Sequence, residues 1–282
     1  MSERQHVELT PEEQRENSKA VLAHILPFAI WLTMMVWLDD PAWNYNARTL
    51  GGLALLVAFR PWRWYPKLNL RNLPAALGVG VLIFIVWVGF ETPWVSRNAP
   101  AVTEWYDRLF VDLTHPFKTR ELNEIPLSAE SFAVQESVAM GVPNVERTLV
   151  PYEVIEEGEH AGLHVYDPRV TGLFNFWIHM LGTSVIIAII EEFFFRGFLY
   201  RWMLGSPFFK VDAGRLHWPM LMAISVFFGI EHFEWMAGII CGIVFGLLYI
   251  KTRDIWAAII AHGTTNFLLG LYVIKYNAYQ FW

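Results

Sequence analysis

The chain has 282 residues, of which 55% are hydrophobic and only 17% charged, with 14 tryptophans, a composition too apolar for a soluble protein of this length. A formal charge of −6 gives no basic footprint for nucleic acid, which is therefore not expected as a partner. The single cysteine, Cys241, lies in an apolar run, so no disulfide framework is available.

Residues 1–20 form a polar, glutamate-rich segment without the positively charged leader or small-residue cleavage site of a secretory signal, so the first apolar stretch is expected to stay in the protein. Val21 to Leu38 is apolar enough to cross a bilayer, and Asp39 and Asp40 end it. A shorter span follows from about Thr49 to Phe59. Arg60, Arg63, Lys67 and Arg71 then crowd the next loop with no acid among them, which the positive-inside rule places in the cytoplasm. Leu73 to Phe90 makes a third span, with Pro74 in its first turn, where a missing N–H does no harm. Residues 21–90 are thus read as three N-terminal transmembrane helices.

The apolar runs stop between Glu91 and Arg169. This stretch, taken as an insert over 91–170, carries fourteen acids against six bases and nets −8, leaving +2 for the rest of the chain. An acidic connection between the third and fourth spans is expected on the outer side. Short alternating pieces such as Phe132 to Val138 and Tyr152 to Ile155 suggest a few strands. His160 and His164 have metal-like spacing, but Gly162 lies between them and no acid or cysteine completes a set, so they read as surface histidines.

Residues 171–282 return to apolar helices, running from Leu173 to about Met203, His217 to about His232, Trp235 to Ile250, and Ile255 to Ile274. The first is long enough to be split, which would make the span count eight rather than seven. Basic residues after Arg201 and Ile250 fall on the same side as the 60–71 loop when the N-terminus is inside. No inverted internal repeat of the transporter kind is found. The whole is expected to be an all-α polytopic transmembrane helix bundle of about seven spans with an acidic extramembrane insert of mixed structure. Its setting is the lipid bilayer, as a bacterial inner (cytoplasmic) membrane protein with the insert outside.

Charges set into apolar helices then point to a site. Glu191, Glu192 and Arg196 interrupt the run that begins near Leu173, and ionisable residues at such depth cost at least ~2.5–3.5 kcal/mol on insertion scales. Positions i and i+4 share a helix face, so Glu192 is expected to pair with Arg196 while Glu191 points about 100° away and stays free. His232, four residues after Phe228, and the pair His262 and Asn266 interrupt two further helices, and the latter two project from one face. At 1.5 Å per residue Glu191 and His262 reach similar depths, about 15 and 12 Å, whereas His232 lies a turn or more deeper.

Glu-Glu-x-x-x-Arg, Phe-x-x-x-His and His-x-x-x-Asn, in that order on successive apolar helices, resemble the three motifs of the CPBP family, which contains type II CAAX prenyl proteases and bacterial Abi-type membrane proteins. The resemblance covers roughly 173–275, and the arrangement is also similar to the CAAX-protease-related proteins that accompany bacterial sorting systems. The first three spans and the acidic insert are not explained by the resemblance, and a large insert before the first motif departs from the compact family core. The resemblance implies intramembrane cleavage of a peptide or protein substrate, whose prenylation nothing in the sequence establishes. In that chemistry Glu191 and His232 would activate water and His262 and Asn266 would hold the oxyanion, with Glu192, Arg196 and Phe228 in support. The family has been described both as metalloproteases and as metal-independent glutamate proteases. Glu191, His232 and His262 would make a plausible zinc set with an open position, but the chain lacks a His-Glu-x-x-His helix, which favours a site without a tightly held divalent ion. The alternative reading is a non-catalytic membrane scaffold or immunity protein that uses the same polar cavity for binding.

Overall fold

The structure is a computed structural model and describes residues 5–6, 9–37, 41–89, 92–106, 108, 167–232, 234–276, 278 and 281. It is all-α apart from one two-residue parallel pair, Gln5–His6 (β1) with Gly205–Ser206 (β2). The helices are α1 (Pro11–Trp37), α2 (Pro41–Phe59), α3 (Leu73–Gly89), α4 (Pro93–Asn98), α5 (Pro100–Tyr106), α6 (Pro168–Leu204), α7 (Trp218–Ile230), α8 (Trp235–Thr252) and α9 (Ile255–Tyr276). The strands expected within the insert, and His160 and His164, lie outside the described residues, and the parts of the insert that are described begin as the helices α4 and α5.

Among the described residues, four helices are long and apolar enough to cross a membrane: Leu70–Gly89, which is α3 with the turn before it, α6, α8 and α9. Helix α7 is apolar but shorter, at 13 residues or about 20 Å. Helices α1 and α2 start well before the expected span limits of Val21 and Thr49, at Pro11 and Pro41. Their first halves carry polar residues such as Glu12, Glu13, Asn46 and Arg48, which dilutes the apolar stretch. Length and composition therefore give four spans, and the expected count of seven depends on α1, α2 and α7. The outer face of the bundle is apolar, as a lipid-facing surface requires, with Leu82 and Ile85 on α3 and Phe174 and Trp177 on α6 all exposed.

One end of the bundle gathers the N-terminal segment and the three basic loops. Glu13 pairs with Lys210, and Glu16 accepts from Trp64 Nε1 at 2.9 Å. Asp254 accepts from the backbone of Asn69 at 3.1 Å and from Asn72 Nδ2 at 3.0 Å, and Trp256 Nε1 donates to the Pro66 carbonyl. Arg253 pairs with Asp212 at 3.3 Å. The shared side expected of the 60–71, 201–215 and 251–253 loops is thus a physical cluster of contacts.

Close helix approach builds the interior. Gly238, Gly242 and Gly246 recur every turn along α8 against α7, and a Cβ at 242 would stand 2.7 Å from the Cα of Ser225. Across the bundle, a Cβ at Gly80 of α3 would meet the Ala261 carbonyl of α9 at 2.6 Å, and Thr265 Oγ1 donates to the Gly80 carbonyl at 2.9 Å. Overpacking such a seam costs about 1–3 kcal/mol. Gly242→Val is therefore expected to lower the detergent unfolding temperature clearly, whereas Gly78→Val, where a Cβ meets nothing within 4 Å, should leave it unchanged. Equal unfolding temperatures for the two variants would show that α7 and α8 are not held this way.

Candidate active site

Helix α6 is not regular. Gly172, at φ +78°, breaks it near its start, a conformation that a side chain would strain. Two π-helical turns follow, Gly182–Ile187 and Phe193–Leu199, and Glu191 and Glu192 close the short α-helical stretch between them. Such turns shift the register of a helix face and recur at functional sites.

Around this stretch the structure assembles a buried polar cluster. Glu192 is 0% exposed, Arg196 3% and His262 4%. Glu192 Oε1 accepts from Arg196 Nη1 at 2.9 Å and faces His262 Nδ1 at 2.9 Å. The adjacent guanidinium keeps that carboxylate an acceptor, so His262 Nδ1 carries the proton and donates. The other ring nitrogen, His262 Nε2, stands 3.8 Å from Glu191 Oε2, too long for a direct hydrogen bond. A water oxygen about 2.8 Å from each would bridge them.

Aromatic side chains wall the cluster. The Arg196 guanidinium lies 4.2 Å over the Phe228 ring, and its Nη2 reaches the Gly242 carbonyl at 3.5 Å. Phe245 stacks on His262 with centroids 5.3 Å apart, and Phe228 meets His262 edge-on at 5.8 Å. On its other contact Phe228 touches His232, at 4.7 Å. His232 follows the end of α7. Its Nδ1 donates to the Phe228 carbonyl at 2.8 Å, which leaves Nε2 as the acceptor of the neutral ring, and Trp87 of α3 packs against that ring at 5.5 Å. Helix α5 also reaches this end of α7 and α8, where Tyr106 Oη donates to the buried Glu234.

The expected Glu192–Arg196 pair is present. His262 and Asn266 both face α6, as their spacing expects, but toward different stretches of it: Asn266 Nδ2 donates to the Thr183 carbonyl at 2.9 Å, in the first π-helical turn. The depth mismatch of His232 is bridged by Phe228, which contacts Arg196, His232 and His262 together. Two features escape the sequence. The bond from His262 to Glu192 joins residues seventy apart, and Trp87 comes from a helix outside the motifs; neither has a local signal.

Among the described residues no three His, Cys, Asp or Glu side chains group into a metal site. Of the zinc set of Glu191, His232 and His262 considered from the sequence, His262 Nδ1 is held by Glu192 and His232 Nδ1 by a backbone carbonyl, which leaves the Nε2 of each ring as the nitrogen that could serve a ligand.

A carboxylate pair, an arginine and histidines buried among apolar helices define a membrane protein with an internal polar site. Residues 173–268 match the family described as type II CAAX prenyl endopeptidase Rce1-like, so this part of the chain is an Rce1-like domain, consistent with a CPBP-family intramembrane protease. The match starts just after the Gly172 break and runs through most of α9, leaving α1 to α5 outside it. No curated protein and no solved structure matches the chain.

Proposed function

We propose that the protein is an intramembrane endopeptidase that hydrolyses a peptide bond of a membrane-associated or exported substrate. The observation that carries this reading is the buried Glu191–His262–Glu192–Arg196 cluster lying within the Rce1-like segment. Glu191, with His232, takes a proton from water as the oxygen attacks the scissile carbonyl, and Glu191 then returns it to the leaving amine. His262, whose Nδ1 is held 2.9 Å from Glu192, presents Nε2 toward the oxyanion. Asn266 spends one amide N–H on Thr183 and keeps the second for the same oxyanion.

Purified protein in proteoliposomes should cleave quenched fluorescent membrane peptides, with paired prenylated and unprenylated versions reporting whether the lipid is read. Because the chain lacks a His-Glu-x-x-His helix, cleavage should persist after prolonged treatment with a strong chelator. Loss of activity restored by zinc would assign the chemistry to a metal instead. Failure of every peptide, together with identical membrane peptide termini with and without the protein, would favour the scaffold reading.

By the positive-inside rule we read the common end, N-terminus included, as cytoplasmic and the segment after α3 as outer. In a chain with Cys241 replaced by alanine, Glu104→Cys should react with an impermeant thiol reagent on intact cells, and Lys67→Cys only after permeabilisation. The reverse pattern would invert the orientation.

A further inference from the structure

A second buried cation lies far from the cluster just described. Arg48 of α2 is 7% exposed, and its guanidinium lies 4.6 Å over the Tyr45 ring and 5.4 Å from the Trp31 ring of α1. Tyr45 in turn stacks on His179 of α6, with centroids 3.7 Å apart and planes within 10°. The guanidinium carbon thus lies over both rings. Among the described residues its Nε has no hydrogen-bond partner and no ion pair includes Arg48. The neighbouring Thr49 hydroxyl, fully buried, also lacks one.

A buried arginine without an anion is strongly unfavourable, and this one, which meets none among the described residues, rests on an aromatic shelf with its Nε–H unspent. The edge of a guanidinium matches the oxygens of a tetrahedral oxyanion. The depth matches as well. Eighteen residues separate His179 from Gly197, where α6 abuts Tyr65 at the basic end, and that length, at most about 27 Å because its π-helical turns rise less per residue, compares with a hydrocarbon core of about 30 Å. Arg48 therefore lies near the membrane boundary opposite the basic loops, where headgroup phosphates are found.

We propose that Arg48 is the centre of a phosphate-binding site that takes the headgroup of a phospholipid from the leaflet opposite the basic loops. Delipidated full-length protein in a neutral detergent tests this by thermal unfolding and native mass spectrometry. Phosphatidylglycerol should raise the wild-type unfolding temperature by roughly 5 °C and be retained as a bound lipid, whereas a diacylglycerol with the same chains should do neither. Arg48→Met should lose the shift, and Arg48→Lys should keep only part of it, because the charge survives without the planar fork. A shift with inorganic phosphate alone, absent in Arg48→Met, would keep the oxyanion site and make free phosphate its source. Equal shifts with phosphatidylglycerol and diacylglycerol, with none from phosphate, would overturn the proposal in the wild-type protein alone. An Arg48→Met chain that unfolds while the wild type ignores every phosphate would overturn it too, by assigning Arg48 to a carboxylate of this chain.

Discussion

Glu192→Gln is expected to destabilise the protein by on the order of 3–5 kcal/mol, the largest loss of any single change considered. Its carboxylate is wholly buried and one oxygen serves two cationic or donor partners, Arg196 and His262. Removing the charge takes from the Arg196 guanidinium the carboxylate it is paired with and leaves it a neutral amide oxygen, aromatic rings and a distant carbonyl. Part of the loss should return in Glu192→Gln/Arg196→Met, where neither charge is left alone. The single variant should also cleave more slowly, by up to ~10⁴-fold, because His262 loses the carboxylate that orients its ring. Unfolding in detergent and cleavage, measured on both variants, check this. A double mutant no more stable than the single one would mean that the ion pair is not what Glu192 contributes.

Glu191→Gln should behave in the opposite way, with cleavage lower by ~10²–10⁴-fold and unfolding close to wild type. Glu191 is adjacent to a second carboxylate, so neutralising it removes repulsion and orphans no cation. Its facing partner is His262 Nε2 at 3.8 Å, a distance that suits a shared water and is not a bond that holds the fold. Measuring the two glutamine variants side by side separates the assigned base from the assigned support. If Glu191→Gln were the unstable chain and Glu192→Gln merely inactive, the two roles would be exchanged.

Much of this arrangement is legible in the sequence because charge inside an apolar helix has few bland explanations. The i, i+4 spacing of Glu192 and Arg196 predicts their pairing, and the same spacing places His262 and Asn266 on one face. Rise per residue predicts that α6 and α9 bring their polar groups to one depth. What the sequence does not disclose is non-local or non-regular. The Glu192–His262 bond depends on which faces of α6 and α9 meet, and that is decided by close approaches such as the one between Gly263 and the Ser184 carbonyl. The π-helical turns rotate the face of α6 without any proline to announce them. The limits of the first two spans are misread for a related reason: apolar stretches in α1 and α2 are continued by polar helix, so hydropathy alone places the starts of these helices too late.

The most direct test of intramembrane proteolysis by Glu191 compares peptide termini in membranes that contain either the wild-type chain or Glu191→Gln at equal abundance. Wild-type membranes should contain new C- and N-termini from one or a few membrane-associated or exported proteins, and these should be missing with Glu191→Gln. The same new termini in both membranes, in equal amounts, would contradict the assignment of Glu191 as the base.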